Sequence, residues 1–268
     1  MSVAENQKVR LGGMALANGV LVHGPTAWAC AVRTERGEIK VASGKKRLLA
    51  PRVTAPFLRG PLRQAEAFAF IPELRRRLPE ARLPFERPAV LAATLASAVT
   101  VQVVRRSTGL SSAARELLSG ALSLTPALLA LRGGELAAYH GAEHVSIGTY
   151  EHGEERAKEH ERCGSHLIGP LLAATAAGNV LASRAPVQLR RSARVATAVG
   201  AVGAAVEVFA WMTKHPNHPL ARVLARPGHE LQHRIATADP SPEQLEVAEA
   251  ALAACLALEN ESGHRAAP

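Results

Sequence analysis

Aromatic residues are scarce: they make up 3% of a 268-residue chain that is 47% hydrophobic. Burial must come from aliphatic packing, and the platform of aromatics on which single-stranded nucleic acid stacks is missing. The net charge of +9 would suit a polyanion. No nucleic-acid-binding motif accompanies it, so an anionic membrane surface is the expected partner and nucleic acid is not. Cysteine is scarce too. Cys30, Cys163 and Cys255 are odd in number, widely separated and form no C-x-x-C pair, which argues against a disulfide framework and for a reducing compartment. Residues 1–10 are polar and lead into no long apolar run with a small-residue cleavage site, so no secretory signal is read there. The glycine-rich start, Leu11 to Pro25, matches neither G-x-G-x-x-G nor a P-loop, which weakens a nucleotide reading.

What is present centres on Tyr139-His140-Gly141-Ala142-Glu143-His144. Four residues apart on a helix, His140 and His144 share a face, and Glu143 flanks them. The pattern H-x-x-E-H is the inverted zinc-peptidase signature, in which two histidines hold the ion and the glutamate acts on a water at the open position. It defines a site and leaves the reaction open; the alternative is two solvated histidines on a helix. Downstream, His160, Cys163 and His166 are three apart, a second cluster of soft ligands. Sequence alone leaves open whether the clusters meet. Glu207, inside an apolar stretch, needs a partner when buried: a histidine-held metal or a neighbouring arginine.

The chain divides by composition. Residues 1–71 read as a small β-containing module, with a hairpin of Trp28 to Val32 and Glu38 to Ala42 around Gly37. Residues 72–88, where prolines alternate with arginines, read as a linker or juxtamembrane segment, a solvated charge run being the alternative. Within 89–238 lie four apolar stretches, 89–104, 117–131, 167–182 and 195–212, each near the lower length limit for crossing a bilayer. A polar hairpin at 132–165 separates the second from the third, and its Glu-rich centre, 151–161, reads as a solvated helical face. Mean hydropathy is only +0.03, and core helices of a soluble bundle are the competing reading. With the N-terminus inside, Arg105, Arg106, Arg115, Arg184, Arg190, Arg191 and Arg194 would fall on the outer side, against the positive-inside bias. Residues 239–268 read as an amphipathic helix and tail, opening with Ser241-Pro242-Glu243-Gln244 as a capping box and carrying Cys255 as a core thiol. His215 and His218 in a proline-rich loop, and His229 and His233 in an amphipathic helix, read as surface residues.

Several of these segments together resemble the YqhQ-like bacterial family, which has no settled activity: Gly12-Gly13 through Gly24-Pro25, Phe57 to Pro61, Tyr139 to His144, Arg162-Cys163-Gly164, Glu207, and Asp239 to Leu252. The resemblance implies a membrane-embedded helical part, a small N-terminal β part and a metal held by His, Glu and Cys residues. By that carry-over His140, Glu143, His144, His160, Cys163 and Glu207 are the site candidates. Where the family's first segment carries Gln, Glu and Arg, this chain has Met14, Asn18 and His23.

The expectation is a mainly α protein: about four apolar, membrane-embedded helices with a small N-terminal β module on the cytoplasmic side of the cell membrane. Its partners are membrane lipid and a second copy of itself. A divalent metal, Zn²⁺ first, sits on His140, His144, His160, Cys163 and Glu207, and Glu143 is the catalytic base of a metal-dependent hydrolase. The alternative is a non-enzymatic membrane or assembly factor with a structural His/Cys cluster.

Overall fold

The computed structural model describes residues 8–46, 69–131 and 134–264, with 55, 62, 65 and 66 between the first two ranges; the segment 57–61, Arg47, Arg52, Arg132 and residues 64, 67 and 68 lie outside them. Strands β1 (Gly12–Leu16), β2 (Gly19–His23), β3 (Ala27–Arg33) and β4 (Ile39–Lys45) form an antiparallel meander in chain order. The hairpin expected around Gly37 is β3–β4, closed by a Thr34 N–H to Glu38 carbonyl bond of 2.9 Å, with Gly37 at φ 83°. That left-handed conformation favours glycine.

Alternation along the strands sends Val20, Val22, Ala29 and Ala31 to one face and Leu21, Trp28, Cys30 and Val32 to the other, and both faces are buried. A sheet apolar on both sides needs two covers. On the second face, helix α1 (Ile71–Arg77) contributes Leu74, and Phe70, Leu78 and Leu83 pack beside it, with Phe70 stacked on Trp28 at 5.5 Å. Residues 72–88, read as a linker, are thus seated on the sheet through the apolar residues between their prolines and arginines.

The first face is covered by two helices remote in sequence, α4 (Glu135–His152) and α8 (Pro242–His264). The capping box that opens α8 is formed: Ser241 N–H donates to Gln244 Oε1 at 2.9 Å. The buried stripe of α8 runs through Val247, Ala248, Ala251 and Cys255, so Cys255 is a core thiol.

The four apolar stretches are helices α2 (Pro88–Arg106), α3 (Ser112–Leu131), α5 (Ile168–Ser183) and α6 (Arg190–Lys214). They form two helical hairpins, α2–α3 and α5–α6, joined near their tips by Asn179 Nδ2 donating to Glu116 Oε2 at 2.7 Å. Three segments, 88–106, 164–183 and 187–214, are long and apolar enough to cross a membrane; α3 passes only together with α4, across an 88° bend. Leu91, Leu95, Val99 and Val103 lie four apart on α2, all exposed, an apolar stripe that water would not favour. After α6 the chain returns through α7 (Pro219–Leu231) and a single π-helical turn, Gln232–Ala236, to α8.

Candidate metal centre

Gly134, at φ 86°, precedes α4, and Gly153, at φ 77°, ends it by donating its N–H to the Thr149 carbonyl. Between them α4 is enclosed almost all round, from Leu136 to Gly148. Gly141 permits this, because a Cβ there would run into the Ala238 carbonyl oxygen. Beyond Gly153 the Glu-rich stretch forms a loop where a solvated helical face was expected; with no apolar stripe to bury, it has nothing to hold a further helical turn against the core. The loop doubles back along α4 and brings the second ligand cluster to the first.

His140 Nε2 and Cys163 Sγ stand 3.6 Å apart, and the His140 and His144 ring centroids are 4.4 Å apart. One ligand atom from each of His140, His144 and Cys163 lies within 4.8 Å of the other two. Metal–nitrogen and metal–sulfur bonds of about 2.0 and 2.3 Å at tetrahedral angles separate an N and an S ligand by about 3.5 Å. The observed spacing fits.

The tautomers fit as well. His140 Nδ1 lies 2.8 Å from the Ala236 carbonyl oxygen and His144 Nδ1 2.5 Å from that of Lys158. A carbonyl can only accept, so each Nδ1 carries the hydrogen and each Nε2 keeps its lone pair. Backbone carbonyls fixing the far nitrogen of a histidine are the usual support of a metal ligand. Ala236 ends the π turn, a distortion often found at functional sites. Burial, with His140 adding to it, pushes the His144 pKa down to about 2, so this imidazole is neutral and ready to donate. Burial raises the Cys163 thiol above its ordinary range. A thiolate there calls for a cation.

Glu143 is 6% exposed. Burial raises its pKa, against the opposing pull of His140 first and His160 second. Its Oε2 is 3.9 Å from His140 Nε2, which places the carboxyl group beside the three ligands. His160 is one ring further out, 5.5 Å from His144 by ring centroid, with its Nε2 3.3 Å from Glu151. His166 is committed elsewhere: its two ring nitrogens meet the Ala225 carbonyl at 3.0 Å and Gln232 Nε2 at 3.1 Å. Glu207 is half-buried on α6. Neither His160 nor Glu207 belongs to the group of three. His233, on the π turn, contacts Glu159 at 2.8 Å, as a surface histidine would.

Sequence reasoning passed over Gln232, fully buried, which accepts from the His160 N–H at 2.8 Å and donates to Ser165 Oγ at 2.8 Å, pinning the loop. It also passed over the two carbonyls that orient the histidines, which no side-chain motif can reveal. Gly141, inside the motif, was the one available signal of a close backbone neighbour. No curated protein and no solved structure matches the chain. Residues 135–258 match the family described as "Protein of unknown function (DUF1385)", so the stretch holding the His/His/Cys group is the part this chain shares with an uncharacterised family.

Proposed function

We propose that this protein is a membrane-associated metalloprotein, YqhQ-like by its sequence, in which His140 Nε2, His144 Nε2 and Cys163 Sγ hold a divalent ion, Zn²⁺ first. One observation carries the reading: three soft ligand atoms mutually within 4.8 Å, the two imidazoles already turned with their lone pairs free. Three protein ligands leave a fourth position, and a bound ion would supply Lewis acidity there. Glu143 beside it is the proton acceptor for a water attacking a bound substrate. Having taken that proton, the same carboxyl can return it to a leaving group. The reaction class is hydrolysis.

Three apolar helices support membrane association. The N-terminal module is assigned to the cytoplasmic side because Cys30, Cys163 and Cys255 are all unpaired, as in a reducing compartment.

A second reading, a structural ion in a non-enzymatic assembly factor, is favoured by one feature: none of the three ligands lines the cleft described below. Elemental analysis separates the outcomes. About one equivalent of metal in wild type, lost in His140→Ala/His144→Ala and kept in Glu143→Gln, supports the first reading if Glu143→Gln also abolishes hydrolysis. Metal retained in the double histidine variant overturns both.

A further inference from the structure

A cleft of about 760 Å³ opens between the 151–162 loop and the ends of α6 and α7. Its charges do not balance. The carboxylates on its wall are engaged: Glu151 by Arg162 and His160, Glu159 by His233 at 2.8 Å, and Glu161 by Arg156 at 3.5 Å. Arg10, Arg222 and Arg226 also line it, and none has a carboxylate at ion-pair distance among the described residues. Arg10 bears on Arg162 closely enough that, after burial, its like charge is the cause lowering the Arg162 pKa. Three guanidinium groups lining one cleft without carboxylate partners, Arg222 bonded only to Asn217 Oδ1 at 3.3 Å, suit an anion with several oxygens, which is what phosphate offers.

Part of the wall is apolar, made by Val9, Phe209, Met212, Pro216 and Ala221. Phe209 and Met212 lie in the last turns of α6, whose segment 187–214 is one of the three apolar enough to cross a membrane. A free anion would leave this wall wet, whereas an amphiphile would cover it while its head meets the arginines.

We propose that the cleft binds the phosphomonoester headgroup of a membrane lipid, with Arg10, Arg222 and Arg226 around the phosphate and the hydrocarbon chain leaving along Phe209 and Met212. This deepens the reading above by naming a substrate class; it rests on the membrane placement of that reading and not on its ion. The His160 ring lines the cleft and stands 5.5 Å from that of His144, so a headgroup held here is one imidazole away from the three ligands.

The test is calorimetric titration of the full chain in detergent with dioctanoyl phosphatidic acid, dioctanoyl phosphatidylcholine and inorganic phosphate. Wild type is expected to bind the phosphatidic acid at least about tenfold more tightly than either of the others. Arg10→Ala/Arg226→Ala should weaken it by about 10- to 100-fold, the worth of one or two charge-assisted hydrogen bonds. Arg10→Lys/Arg226→Lys, which keeps both charges, should retain the larger part, and an unchanged melting temperature checks folding. Arg105→Ala/Arg106→Ala, at the far hairpin tip, should change nothing. Equal affinity for phosphatidylcholine overturns the role of the arginines. Equal affinity for inorganic phosphate overturns the lipid, and an equal loss in the tip variant reduces the effect to diffuse charge. His140→Ala/His144→Ala should bind phosphatidic acid as wild type does, so failure of the metal reading and failure of the lipid site are separable.

Discussion

Gly13 on β1 and Glu143 on α4 share one space: a Cβ on Gly13 would lie 2.6 Å from the Glu143 carboxyl carbon. The edge strand therefore lacks a side chain where the candidate base packs, and the glycine is required by the carboxyl group opposite it. Gly13→Ala must displace Glu143 or spread α4 from the sheet, an overpacking cost of about 1–3 kcal/mol. Chemical denaturation should show that loss, and Gly13→Ala should also lose hydrolysis while retaining metal, because the three atoms nearest a Cβ at Gly13 all belong to Glu143 and none to His140, His144 or Cys163.

Glu259 on α8 closes the β2–β3 turn. Its carboxylate accepts from the Thr26 N–H, the Ala27 N–H and the Thr26 hydroxyl, each at 2.7 Å, and it is nearly buried. Three charge-assisted bonds lost at once should make Glu259→Ala less stable by about 3 kcal/mol. Equilibrium unfolding of the variant checks this, and a loss under about 0.5 kcal/mol, the range of ordinary surface substitutions, contradicts it.

His23 gives stability a defined response to acid. Burial, then the Lys46 ammonium, lowers its pKa to about 4, while the unfolded chain takes up the proton near 6.5. The unfolded state thus binds more protons between those values, so this contribution is complete above pH 6.5, shrinks as pH falls, and is gone below about 4. Its size is at most about 3 kcal/mol. Unfolding curves across that window should flatten in His23→Gln relative to wild type.

The two arginine-bearing hairpin tips lie at the ends of α2–α3 and α5–α6 remote from the sheet. With the module cytoplasmic, Thr108→Cys at the first tip should react with a membrane-impermeant maleimide in intact cells. Protection until the cells are permeabilised would reverse the orientation.

The local features were open to sequence reasoning. Four apolar stretches, the last holding Glu207, became α2, α3, α5 and α6; Gly37 and the Ser241–Gln244 box marked a turn and a helix start by local chemistry alone. The i, i+4 pair His140 and His144 was legible because helical spacing is fixed. Long-range relations were not legible. That the loop after Gly153 returns Cys163 to His140 depends on Gln232, 72 residues from His160, gripping its N–H. That α4 and α8 meet on the sheet depends on matched apolar faces from opposite ends of the chain. The packing of Leu74, Leu78 and Leu83 on the sheet was not legible, because prolines and arginines outweigh, in composition, the few leucines of the 72–88 segment.

The most direct measurement is X-ray absorption at the metal edge of the purified full-length protein and of Cys163→Ser. Two nitrogen-range ligands and one sulfur near 2.3 Å, about the metal–thiolate length, are predicted in wild type, with the sulfur absent from the variant. A metal shell without sulfur in wild type, or no metal at all, would contradict the assignment of His140, His144 and Cys163 as the centre of this protein.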